Sequence, residues 1–244
     1  MTARELYQAG RLGEAIQALN AELRDNPADT KRRTFLFELL CFAGNYDRAE
    51  KQLDILAQEG SNAQMGALLY RGALNAERTR CELFQKGENL APAADTEATL
   101  TGTWNGRPFT AIEDADPRIG PRLEMFAAGQ YLWVRFDHIA SIEMEAPKRL
   151  RDLLWIPANV RTGPAFRGRE LGEVLLPVLT PLSFQEEDDA LKLGRATEWR
   201  ELPSGETAPA GQKMLLIDGE EAPFLELRRL EIQPAVAADH HASV

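Results

Sequence analysis

Histidine and cysteine, the residues that most often build metal centres and nucleophilic sites, are nearly missing from this 244-residue chain: three of the first and two of the second. His138 has no histidine or cysteine nearby to complete a metal shell, and His240-His241 form an exposed-looking pair near the end. Cys41 and Cys81 both fall inside apolar helical patterns, which predicts buried free thiols rather than a disulfide framework. There is no glycine-rich phosphate loop and no dinucleotide fingerprint. Ser141 lies three residues from His138 with nothing resembling a nucleophile elbow. The run Glu186-Glu187-Asp188-Asp189 lacks the alternation and turn glycine of a calcium loop and reads as a solvated turn. No metal, cofactor or catalytic residue is therefore expected. No apolar run approaches the roughly 18 residues of a membrane span. The opening Met1-Thr2-Ala3-Arg4-Glu5 is charged where a leader would be apolar, so a cytoplasmic protein without membrane insertion is expected.

What is present is a foldable composition, 44% hydrophobic, with an uneven charge. Residues 1–86 hold 12 Lys/Arg and 12 Asp/Glu, so the whole net charge of -10 falls on the remainder. An acidic second half repels phosphate and argues against nucleic acid as a partner.

The first half repeats itself. At a spacing of 34 residues Leu6 matches Leu40, Ala9 matches Ala43, Gly10 matches Gly44, Ala15 matches Ala49 and Leu19 matches Leu53. That period with a small–large helical pattern is the tetratricopeptide signature. Ala15 and Ala49 let paired helices approach, Leu19 and Leu53 fill the groove one turn on, and Gly10 and Gly44 sit where the chain reverses. Thr2 with Glu5, and Ser61 with Gln64, are possible capping boxes; the second would open a long helix to about Gln85. Fewer than two repeats cannot bury their own faces, so the long helix or the second half must close the array.

From Lys86 to Pro108 glycine, proline, threonine and alanine dominate, and no helical period survives. Beyond it the period becomes two. "RLEMF", "AAGQ" and "YLWVRF" predict a hairpin with Leu132, Val134 and Phe136 on one face and Tyr131, Trp133 and Arg135 on the other. "SIEME", "RDLLWIP", "GEVLL", "LKLGRATEW", "KMLLI" and "FLELRRLEI" read as further strands, with Asp218-Gly219 as a hairpin turn. The predicted organisation is α+β: a tetratricopeptide-like helical domain over 1–86, a linker over 87–108, a mostly antiparallel β domain over 109–234 and a flexible tail over 235–244.

Two stretches stand out. "EDADPRIGPRLE" is stiffened by Pro117 and Pro121, turned by Gly120, and carries Asp114, Asp116, Arg118 and Arg122. "APKRLRDLLWIPA" joins a charged start to an apolar strand with Trp155. Asp116-Pro117-Arg118 with Gly120-Pro121, then Gly129-Gln130-Tyr131 with Trp133, then Pro147 and Leu150-Arg151-Asp152-Leu153-Leu154-Trp155, in this order behind a helical half, resemble the ImpE (TagJ, SciE-like) family of type VI secretion accessory proteins.

That resemblance implies a non-enzymatic adaptor. It would bind the small contractile-sheath subunit (TssB-type) through that subunit's N-terminal helix and so assist sheath handling by the ClpV ATPase. Asp114, Asp116, Pro117, Arg118, Gly120, Arg151 and Asp152 are then architectural motif residues. Tyr131, Trp133, Arg135 and Trp155 are the candidate partner-binding residues, provided the aromatics face outward. Two other readings compete. One is a hydrolase or transferase with Asp114, Asp116, Arg118, Arg151 and Asp152 gathered in one cleft. The other is a self-assembling structural subunit rather than a monomer or weak dimer.

Overall fold

In a computed structural model, residues 1–87, 100–163, 166 and 171–233 are described. Five helices come first: α1 (Ala3–Gln8), α2 (Leu12–Asp25), α3 (Thr30–Phe42), α4 (Tyr46–Leu56) and α5 (Ser61–Lys86). Thr2 opens α1 with the full reciprocal capping box. Gly10 and Gly44 stand at the two reversals with φ of 76° and 67°, conformations that glycine adopts without Cβ strain. Ala15, Ala49, Leu19 and Leu53 are all buried where the helices cross. Ser61 departs from expectation: it is the first helical residue, Gly60 occupies the cap position, and no side chain bonds the helix start.

The second half is antiparallel β. Its strands are β1 (Gly102–Trp104), β2 (Arg107–Phe109), β3 (Ile112–Asp114), β4 (Arg122–Ala127), β5 (Gln130–Arg135), β6 (Ile139–Met144), β7 (Trp155–Thr162), β8 (Gly172–Pro177), β9 (Thr197–Glu201), β10 (Thr207–Gly211), β11 (Met214–Ile217), β12 (Glu220–Pro223) and β13 (Arg229–Ile232). Eight of them form one sheet in the order β2-β1-β13-β6-β7-β8-β4-β5; β12-β11-β3 and β10-β9 form smaller sheets.

Several local expectations are corrected. Strand begins at Gly102, inside the expected linker, because β1 pairs with β13; residues 88–99 and the expected tail, with His240 and His241, lie outside the described residues. In "RDLLWIP" only the end is strand. Asp152 accepts the Lys148 and Arg149 amides, which winds Leu150–Leu153 into a 3-10 turn. "LKLGRATEW" starts in a short helix, α6 (Asp189–Lys192), opened by the Asp188 carboxylate on the Ala190 amide. "FLELRRLEI" is a 3-10 turn at Phe224–Glu226 followed by β13.

One face of the large sheet carries the β core. The helices cover the other over β4, β5, β8 and the start of β7, while Glu143, Asn159 and Arg229 further along that face are exposed. The pleat sorts its side chains. Leu123, Met125, Val134, Ile156 and Leu176 point into a core built by the β elements. Phe126, Trp155 and Leu175 point the other way, into a core shared with Leu36, Phe37, Leu39, Leu40 and Leu74 of the helices. The short helical array is thus closed by α5 and by the sheet.

Candidate functional site

Helix α5 lies on the sheet through a buried ionic cluster. Its inward stripe runs Ala73, Ala76, Arg80, Phe84, so one charged residue occupies an apolar position. Arg80, 1% exposed, reaches Glu124 of β4 with Nε to Oε1 at 2.7 Å and Nη2 to Oε2 at 2.9 Å. It also donates to Glu77 Oε1 at 3.1 Å and to the Leu179 carbonyl at 2.9 Å. Lys213 Nζ lies 2.6 Å from Glu124 Oε2 and also pairs with Asp114. Burial alone would raise the Glu124 pKa, but Arg80 and Lys213 overcome it and hold the carboxyl far below the usual carboxylate range. Asp114 accepts the Asp116 amide at 3.0 Å and has a single paired cation, Lys213; burial, with Glu124 nearby, holds it above that range.

Aromatic groups surround the cluster. The Tyr131 hydroxyl donates to Glu124, and Trp133 Nε1 donates to the Tyr131 hydroxyl. Trp155 Nε1 donates to Glu77 at 2.9 Å, and its ring stacks on Tyr70. At the far end of α5 the Asp116–Arg122 turn grips Phe84. Asp116 takes both the amide and the guanidinium of Arg118, and the Arg118 guanidinium lies 5.0 Å from the Phe84 ring centroid. Arg122 lies 4.0 Å over Trp133, which in turn packs on Phe84.

Two further contacts join the halves. Phe184 fills the space where a side chain on Gly44 would stand: a Cβ there would meet the ring at 2.3 Å. Asp189 Oδ2 accepts the Leu12 amide at 2.7 Å and so caps α2 from across the molecule. The run Glu186–Asp189 is therefore not merely solvated, since Asp188 and Asp189 each cap a helix.

One part of this interface is left open. On the first half of α5, Met65, Leu68 and Leu69 are 72%, 70% and 50% exposed, at i, i+3, i+4 spacing. Leu68 and Leu69 line a trough of about 630 Å³ whose other walls include Phe126, Pro157, Leu175 and the β4–β5 turn. The floor is low because Gly72 crosses Gly129 backbone to backbone, where a Cβ on Gly72 would lie 3.1 Å from the Gly129 Cα. Asn75 pins the turn by donating to the Gly129 carbonyl at 3.0 Å. Contiguous exposed apolar surface beside a concave trough marks an interaction site.

A family model described as ImpE protein matches residues 106–231, and one described as tetratricopeptide repeat matches 6–71. The chain is 33% identical to the type VI secretion system accessory component TagJ of Pseudomonas aeruginosa, over 97% of this chain and 93% of the relative. It belongs to the ImpE family. A crystal structure of protein VPA1032 from Vibrio parahaemolyticus, 22% identical, superposes with a TM-score of 0.80 over 95% of this chain and 97% of that one; the fold is shared.

With the ImpE motif residues placed, the candidate partner face needs correction. Trp155 is 2% exposed, and Tyr131 and Trp133 are half-buried against α5. Tyr131 and Trp133 stand on the edge strand β5, where α5 covers their face of the sheet. Arg135 pairs with Asp137 at 2.8 Å. The single acid–arginine cleft does not assemble: Asp114 is bound by Lys213, Asp116 by Arg118, and Asp152 by the backbone of its own turn. Both thiols are buried; burial, with Glu77 nearby, pushes Cys81 up to about 12. Among the described residues no three His, Cys, Asp or Glu side chains gather in a metal-holding group, and no helix is long and apolar enough to cross a membrane. The residues sequence reasoning missed are Arg80, Glu124 and Lys213, together with the Met65–Leu69 strip. Arg80 in an apolar stripe and Glu124 in an alternating strand were the signals.

Proposed function

We propose that this chain is a non-enzymatic adaptor of type VI secretion, acting in the cytoplasm, that takes the N-terminal amphipathic helix of the small sheath subunit (TssB-type) into the α5 trough and so assists sheath handling by the ClpV ATPase. The observation carrying the reading is the exposed Met65–Leu68–Leu69 strip opening onto that trough. A helix docks by placing its own i, i+3/4, i+7 apolar stripe in such a groove. The name of the P. aeruginosa relative and the tetratricopeptide match support an accessory role built on protein contacts. Isothermal titration of the sheath subunit's N-terminal peptide into the full chain tests it. Wild-type chain is expected to bind. Leu68→Asp with Leu69→Asp should weaken binding at least tenfold, about 1.4 kcal/mol, which is less than two fully buried leucine side chains are worth. Unchanged affinity in that variant, or no binding to the wild type, refutes the site or the partner respectively.

A further inference from the structure

A second groove lies between the helices and the 147–153 segment, with a volume of about 720 Å³. Its chemistry is unlike that of the α5 trough. Arg4 of α1, Lys31 of α3, and Arg149 and Arg151 of the segment line it, around the edge-to-face pair Tyr7 and Phe35. Among the described residues none of these four cations has a carboxylate within ion-pair distance. Lys148, also at the rim, is paired with Glu145.

Arg151 supplies a second, independent observation. Its guanidinium carbon lies over the Tyr70 ring, 4.9 Å from the centroid, and its Nε is buried without a hydrogen-bond partner. It is the sole buried side-chain nitrogen or oxygen so left among the described residues. A buried N–H without an acceptor costs about 1–3 kcal/mol, and an oriented guanidinium is a carboxylate receptor. The one carboxylate lining the groove, Glu38, cannot neutralise four cations. Its burial, partly offset by Arg151 and Arg149 and reinforced by Asp152, pushes its pKa up to about 7.

We infer that this groove is a second docking site, one that takes an acidic peptide segment of a protein partner and seats an apolar side chain against Tyr7 and Phe35. Charge complementarity selects the occupant: the groove is cationic within a chain of net charge -10. The surrounding negative potential disfavours an extended polyanion such as nucleic acid and leaves a short segment as the fit. The site is separate from the α5 trough, so its test stands whether or not the sheath helix binds there.

The probe is a fluorescein-labelled hexapeptide of four glutamates, one phenylalanine and one leucine, followed by anisotropy with the full chain. Saturable binding is expected, falling at least threefold between about 50 and about 300 mM NaCl. Lys31→Glu with Arg149→Glu, both at exposed positions, should weaken it at least tenfold while the circular dichroism spectrum and Tm stay at wild-type values. Leu68→Asp with Leu69→Asp should leave it within twofold. Absence of saturation, equal binding of the lysine counterpart of the peptide, or full binding by the doubly reversed variant would overturn the inference. So would tighter binding of a thymidine dodecamer that displaces the peptide. If the doubly reversed variant unfolds, Arg4→Glu serves in its place under the same criteria.

Discussion

Replacing Arg80 with methionine probes how the two halves are held together. The substitution keeps an unbranched apolar stem as far as the position of Nε and removes the guanidinium, the charge of a residue that is 1% exposed. Four contacts go with it: two bonds to Glu124, one to Glu77 and one to the Leu179 carbonyl. Glu124 keeps Lys213 and the Tyr131 hydroxyl, and Glu77 keeps Trp155, but the Leu179 carbonyl loses its guanidinium donor. Breaking a buried ion pair from one side typically costs about 3–5 kcal/mol, because the remaining charge stays desolvated. A domain is stable by about 5–15 kcal/mol, so a large share of the total is at stake. Urea unfolding should be followed by tryptophan fluorescence, which reports Trp133 and Trp155 beside the cluster, and by far-ultraviolet circular dichroism, which reports the helices. Arg80→Met should move both transitions together to lower urea by an amount equivalent to about 3–5 kcal/mol. Adding Glu124→Gln should cost less than the two single effects summed, since both changes remove the same Arg80–Glu124 contact. A cost below about 1 kcal/mol, or helices that melt while the tryptophan signal stays native, would refute the reasoning.

Three other outcomes follow from the same contacts. Gly44→Ala combines a left-handed backbone with a clash against Phe184 and should cost at least about 2 kcal/mol in urea titration; a neutral result would mean that Phe184 does not seat there. Asp189→Ala removes the remote cap of α2 and should cost about 1 kcal/mol, read as a lowered Tm. Glu38 ionises near 4.5 when exposed and at about 7 in the fold. Its raised folded value means that its favourable contribution is intact below 4.5 and lost as pH rises through 7. Glu38→Gln should therefore be more stable than wild type by about 1–3 kcal/mol at pH 8 and converge with it near pH 4; a difference independent of pH would contradict this.

How much of this was legible beforehand follows from the range of each interaction. The 34-residue period, the reversing glycines, the Thr2 capping box and the β4–β5 hairpin rest on residues near one another in sequence, and all could be read. The pleat separated Tyr131 and Trp133 from Leu132 and Val134 correctly, but alternation cannot say which face meets solvent. Here neither does, because α5 covers one and the β core the other. Arg80 and Glu124 are 44 residues apart and Lys213 and Asp114 are 99 apart, so only the fold could pair them. The docking strip was hidden for a different reason. Met65, Leu68 and Leu69 fit the apolar pattern of a buried helix face, and nothing local marks the turn at which α5 runs past its cover.

Hydrogen–deuterium exchange of the full chain, with and without the sheath subunit's N-terminal peptide, tests the docking site most directly. Protection is expected over residues 61–76 of α5, the turn at Ala128-Gly129, and β8. Protection confined to α1, α3 and the 147–153 segment, or a bound peptide that leaves α5 exchanging as before, would contradict the account.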